Sequence, residues 1–151
     1  MSQPVKILFR FHSSVLGEET VETLHAETIS EALGLYKIDS IPFYVPQLAC
    51  GDIVVAEYDE AEAHLTYRET IEPSGNSTVQ VVLLKHPEHV GAVREIFREM
   101  GCASEGYGIG YFVMHIPADL DYMPVKIRLE QLSATGELDY AEPLLSDNHR
   151  L

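Results

Sequence analysis

The ten residues PSGNSTVQVV, 73–82, separate two kinds of sequence, and the fold turns on how they are read. Proline fixes its own backbone angle and glycine tolerates a sharp reversal, so Pro73 and Gly75 punctuate the chain, while Ser74 and Asn76 belong to types whose side chains hydrogen-bond locally in turns. From Ser77 the sequence becomes strand-forming without interruption. The same stretch carries an Asn76-Ser77-Thr78 glycosylation acceptor pattern and a serine close to a glycine turn. A modification site and a nucleophile therefore have to be weighed against a joint between two subdomains.

Before the joint the pattern is that of short strands. Residues 5–11, VKILFRF, alternate weakly and predict one strand; 20–29, TVETLHAETI, predict a second and 33–39, LGLYKID, a third. In 41–48, IPFYVPQL, Pro42 and Pro46 remove two backbone donors, which predicts an irregular or edge segment. The turn Cys50-Gly51-Asp52 leads into 53–59, IVVAEYD, with 64–72, HLTYRETIE, as its hairpin partner. Strands joined by turns, with no helical period, predict a small β-barrel-like subdomain over 1–73.

After Gly75 the period changes. STVQVVLL, 77–84, is apolar enough to expect burial on both faces. His86-Pro87-Glu88 opens a helix with proline at its first position, Val90, Val93, Phe97 and Met100 form its apolar stripe, and Gly101 ends it. Strands in CASEGY and YFVMHI flank the turn Gly106-Tyr107-Gly108-Ile109-Gly110, and Pro117 closes the second. A helix from about Asp121 tolerates Pro124 in its first turn, buries Val125, Leu129 and Leu132, and stops at Gly136 before a last strand, ELDYAE. The order β-α-β-β-α-β predicts a ferredoxin-like sandwich over 77–145, with two helices on one face of an antiparallel sheet, and an α+β class for the chain. Residues 146–151 are expected to be a disordered tail.

Composition narrows the function. Of 151 residues 46% are hydrophobic, with eight Tyr and five Phe, so the core needs no disulfide or metal to hold it. Cys50 and Cys102 stand alone, without CxxC spacing, which points to a reducing compartment. VKILFRF is too short and too charged for a signal-peptide core, and no segment approaches the roughly 20 apolar residues of a membrane span. The expected location is the cytoplasm, where the Asn76 acceptor pattern has no meaning. The net charge is −14, with thirteen acids against four bases in residues 1–76 and eleven against six in 77–151. The ten bases are scattered, which argues against nucleic acid as a partner. The acidic excess serves solubility, or presents an acidic face to a basic protein.

No catalytic set emerges from the motifs. The elbow that exposes a catalytic serine is followed by a helix, whereas a strand follows Ser77. His86-Pro87-Glu88-His89 places two imidazoles three residues apart, but a zinc helix wants HExxH in regular helix, which Pro87 opposes; His12, His25, His64 and His115 sit on separate expected strands. No metal and no cofactor are expected. The glycines of 106–110 lie between two strands rather than before a helix, so they form a hairpin turn and no phosphate loop. Arg68 shares one strand face with His64, Thr66 and Thr70, where a fork-shaped cation could take a carboxylate ligand; its plainer role is a salt bridge to a neighbouring Glu. In Asp39-Ser40-Ile41-Pro42-Phe43-Tyr44 two aromatics beside a proline either cap the core or line a groove.

Taken together, Tyr36, Asp39-Ser40, Ile41-Pro42-Phe43-Tyr44, Gly51-Asp52-Ile53-Val54 and Ser74-Gly75-Asn76-Ser77-Thr78 resemble a bacterial family, domain of unknown function 4265, over about residues 5–144. The chain departs from the family pattern at Ser40, where Asn is usual, and at Asn76, where His is common. The resemblance implies no activity, but it implies that these segments define the group.

Two functions follow as expectations. The first is a non-enzymatic binding or regulatory module for a basic protein partner, with a homodimer left open. The second, the alternative, is a small-molecule site, for binding or for catalysis, in a cleft between the subdomains. The candidate binding residues are Asp39, Phe43, Tyr44, Asp52, Arg68, Asn76 and Ser77.

Overall fold

The computed structural model describes residues 4–13 and 16–150. The chain is mostly β, with two sheets and two helices, and it divides into two compact units, Met1–Ser74 and Gly75–Leu151.

The first unit holds β1 (Pro4–Ser13), β2 (Glu18–Ser30), β3 (Leu35–Ile38), β4 (Ile53–Asp59) and β5 (His64–Glu72). Each strand pairs antiparallel with the next, and the order closes because β1 also meets β5 in a parallel bridge at Leu8 and Thr66. Period-two alternation sends Ile7 and Phe9 of β1, Leu24 and Ala26 of β2, Tyr36 and Ile38 of β3, and Val54 and Ala56 of β4 into one core. The third strand is shorter than the expected 33–39, because residues 31–34 are spent on a turn closed by the Gly34 N–H on the Glu31 carbonyl. Residues 39–52 form no strand, as two prolines require, yet Ile41, Val45, Leu48 and Ala49 are buried.

The second unit holds β6 (Ser77–Leu83), α1 (Val90–Glu99), β7 (Ser104–Gly106), β8 (Tyr111–Ile116), α2 (Met123–Ala134) and β9 (Leu138–Leu144). Its four strands lie in the order β7-β8-β6-β9, antiparallel throughout. Val79, Val81 and Leu83 of β6 and Phe112, Met114 and Ile116 of β8 pack with Phe97 of α1 and with Val125 and Leu129 of α2. The expected burial of β6 on both faces is too strong: Val82 is exposed, so the strand alternates at its C-terminal end.

The expected disordered tail at 146–151 is corrected. Residues Asp147–His149 form a 3-10 turn, and His149 is among the most buried side chains of the unit. The reason is polar rather than apolar: a buried serine and a carbonyl need the imidazole. Position 151 lies outside the described residues.

Candidate functional site

The candidate residues of the first unit are fastened by local bonds. Glu22 lies two residues before buried Leu24 and opposite buried Phe9, so the strand period aims it inward in the first half of β2. Its carboxylate accepts three successive backbone N–H groups, from Phe43 to Oε2 at 2.8 Å and from Tyr44 and Val45 to Oε1 at 3.0 Å each. Successive N–H groups converging on one anion form a backbone nest. Ser40 adds a second fastening, its hydroxyl accepting the His25 N–H at 3.0 Å and facing the His25 carbonyl at 3.4 Å, while the Asp39 N–H donates to that same carbonyl. The segment thus caps the core; Phe43 and Tyr44 are half-buried and Asp39 is exposed.

Asp52 is 2% exposed and also serves the backbone. Its Oδ2 accepts the Ala49 N–H at 3.1 Å and its Oδ1 the Ser74 N–H at 2.8 Å, while the Ser74 hydroxyl donates to the Cys50 carbonyl. Arg68 takes the plainer of its two expected roles. It donates to Glu57 at 2.7 Å and to Asp59 at 3.0 Å, both on the partner strand β4. The guanidinium beside Asp59 holds that carboxyl below the usual range.

In the second unit Gly75 has φ +86°, and a Cβ there would lie 2.8 Å from Nδ2 of Asn148, so only glycine fits the turn. Asn76 accepts the Ala118 N–H at 2.8 Å. Ser77 meets a histidine after all, at 2.6 Å from Nδ1 of His149. The other ring nitrogen lies 2.8 Å from the Pro117 carbonyl, which can only accept, so Nε2 carries the proton and Nδ1 accepts from the serine. The Ser146 N–H in turn donates to the Ser77 hydroxyl at 2.8 Å. This is half of a nucleophile's geometry without the rest. Ser77 is 0% and His149 1% exposed, and a carbonyl, not a carboxylate, orients the ring. The arrangement locks the chain end onto β6.

The thiols are equally quiet: both cysteines are free, and burial pushes Cys102 up to about 11, far from a reactive thiolate. Among the described residues every buried side-chain nitrogen and oxygen has a hydrogen-bond partner.

What sequence reasoning missed is a groove of about 420 Å³ in the first unit. It runs past the turn at 31–34 and the strands β4 and β5, and Glu31, Leu33, Glu57, Tyr58 and Leu65 line it. Leu33 is 71% and Tyr58 65% exposed, although both are large and apolar. Nothing in the sequence signals it, because Leu33 reads there as the first residue of the third strand, and only the structure puts it in the turn at 31–34.

Comparison with known proteins fits these segments. The family described as Domain of unknown function (DUF4265) matches residues 22–140. The chain belongs to this family. The DUF4265 match begins at the residue that clamps the 43–45 backbone and ends before His149. A solved structure from Neisseria gonorrhoeae, described as a novel crystal structure of a hypothetical protein, is similar at 26% identity. The similarity covers 95% of this chain and 96% of that one, with a TM-score of 0.78. No curated protein matches the chain.

Proposed function

We propose that this DUF4265 chain is a non-enzymatic binding module that takes a basic protein partner. One observation carries the reading: two large apolar side chains, Leu33 and Tyr58, stand exposed in one groove beside the carboxylates of Glu31 and Glu57. An exposed aromatic and a leucine anchor an interface, and acids around them suit a segment bearing lysine or arginine, whose stem packs while its head pairs. Glu57 already pairs with Arg68, so Glu31 is the groove acid offered to a partner's cation. Two free cysteines support a cytoplasmic location, and no helix among the described residues is long and apolar enough to cross a membrane. The similar protein from Neisseria supports a bacterial source.

Finer fold assignments belong to the same reading. The ring of five paired strands supports a small β-barrel. The order β7-β8-β6-β9, with one helix between β6 and β7 and another between β8 and β9, supports a ferredoxin-like sandwich.

The test is capture on immobilised protein at low salt, followed by a salt gradient, with wild type beside a Leu33→Ala/Tyr58→Ala variant. The expected result is a basic protein that wild type retains, that salt releases, and that the variant fails to hold. Charged surfaces screen over about 10 Å at 0.1 M salt, which is why release by salt is diagnostic. Equal retention by both proteins, or a salt-insensitive partner, refutes the proposal.

A further inference from the structure

His86, Pro87, Glu88 and His89 fold into a single 3-10 turn directly before α1, closed by the His89 N–H on the His86 carbonyl at 2.9 Å. A 3-10 turn has three residues per turn, so side chains three apart eclipse. That brings the two imidazoles together, with ring centroids 4.8 Å apart and 28° between their planes. Glu88 turns toward them: its Oε1 is 3.4 Å from Nδ1 of His86 and 4.0 Å from Nε2 of His89. The donor atoms of the three residues all lie within 4.8 Å of one another.

Pro87 spoils the spacing of a helix-borne HExxH motif, which is why the sequence speaks against a metal here. In a 3-10 turn the same residue helps, because its fixed φ starts the tight turn and its missing N–H is not needed. Gly110 makes room for it, since a Cβ at that position would lie 2.7 Å from Cβ of Pro87.

We propose that His86, Glu88 and His89 bind a first-row divalent metal ion, with Zn²⁺ the best fit. Two imidazole nitrogens and one carboxylate oxygen are the ligand types such ions prefer. Tetrahedral bonds of about 2.0–2.2 Å place ligand atoms roughly 3.3–3.6 Å apart. The Glu88–His86 pair is at that separation already, and all three side chains are exposed, so rotation about their own bonds closes the other two edges. Three protein ligands leave a fourth position for water. His86 and His89 also line a groove of about 340 Å³ with Leu83, Val93, Leu132 and Glu137.

The experiment uses the untagged full chain, stripped with a chelator and dialysed, then titrated with Zn²⁺ by calorimetry near neutral pH. Co²⁺ serves as a second probe through its visible spectrum. The expected result is saturation at one ion per chain, weakened about tenfold or more in His86→Ala and in His89→Ala. His64→Ala, in the other unit, is expected to bind as wild type does. Because the three ligands are on the surface, circular dichroism should report an unchanged fold. Equal binding by wild type and the His86→Ala/His89→Ala double variant overturns the proposal, as does a loss produced by His64→Ala, or the absence of saturable binding.

Discussion

Replacing Ser77 by alanine removes one oxygen from a fully buried position and tests whether the chain end is held by polar locking. That oxygen receives the Ser146 N–H at 2.8 Å and donates to Nδ1 of His149 at 2.6 Å. His149 is 1% exposed, so water does not replace the lost donor, and Nδ1 keeps only the longer contact of the Ser146 hydroxyl at 3.3 Å. A buried group left unmade costs about 1–3 kcal/mol, so Ser77→Ala is expected to lower stability by about 2 kcal/mol. His149→Ala strands the Ser77 hydroxyl and the Pro117 carbonyl and also empties a ring-sized space beside Tyr122, for about 3 kcal/mol. The two changes share one bond, so the double variant should cost about 1 kcal/mol less than their sum. Urea unfolding followed by circular dichroism measures all three. A Ser77→Ala loss below about 0.5 kcal/mol, or strict additivity of the pair, would refute the locking account.

Two further outcomes are expected. Glu22→Ala frees the N–H groups of Phe43, Tyr44 and Val45 from a shared carboxylate, and bonds to a charged acceptor are each worth about 1.5–3 kcal/mol. With non-additivity the loss should be about 2–3 kcal/mol, accompanied by faster proteolysis within 39–52; unchanged proteolysis would show that the cap stands without the clamp. For His115, burial and then the neighbouring His149 hold the imidazole below the ordinary histidine range. The folded state therefore binds this proton less readily than the unfolded chain, so its contribution is complete above an unfolded pKa of about 6.5 and drains away as pH falls below that value. Between about pH 7.5 and 5.5 the wild type should lose more stability than His115→Gln, and parallel pH profiles would exclude the effect.

Local pattern made much of the fold readable. The hairpin 53–59 and 64–72 and the strand 111–116 stand where alternation between turns predicts them, because period two is a property of each strand alone. The helices end before Gly101 and Gly136, where a residue free to take positive φ can terminate them. The limits of such reading show at 86–89. Proline there was compatible with two local geometries, an α-helical first turn and a 3-10 turn, and the choice changes which side chains eclipse.

The clamps were out of reach for a different reason. Glu22 lies twenty-one residues from the first N–H it holds, and His149 lies seventy-two from Ser77. Glu22 stands at an inward position of its strand and His149 near no periodic element, and neither position names the distant group it meets. Composition, charge, the kind and order of the strands and helices and the turn chemistry at Gly75 are properties of neighbours along the chain, and the sequence by itself determined them. Which polar group meets which buried donor depends on where distant segments come to rest, because a hydrogen bond demands contact within about 3 Å, and only the tertiary structure decided that.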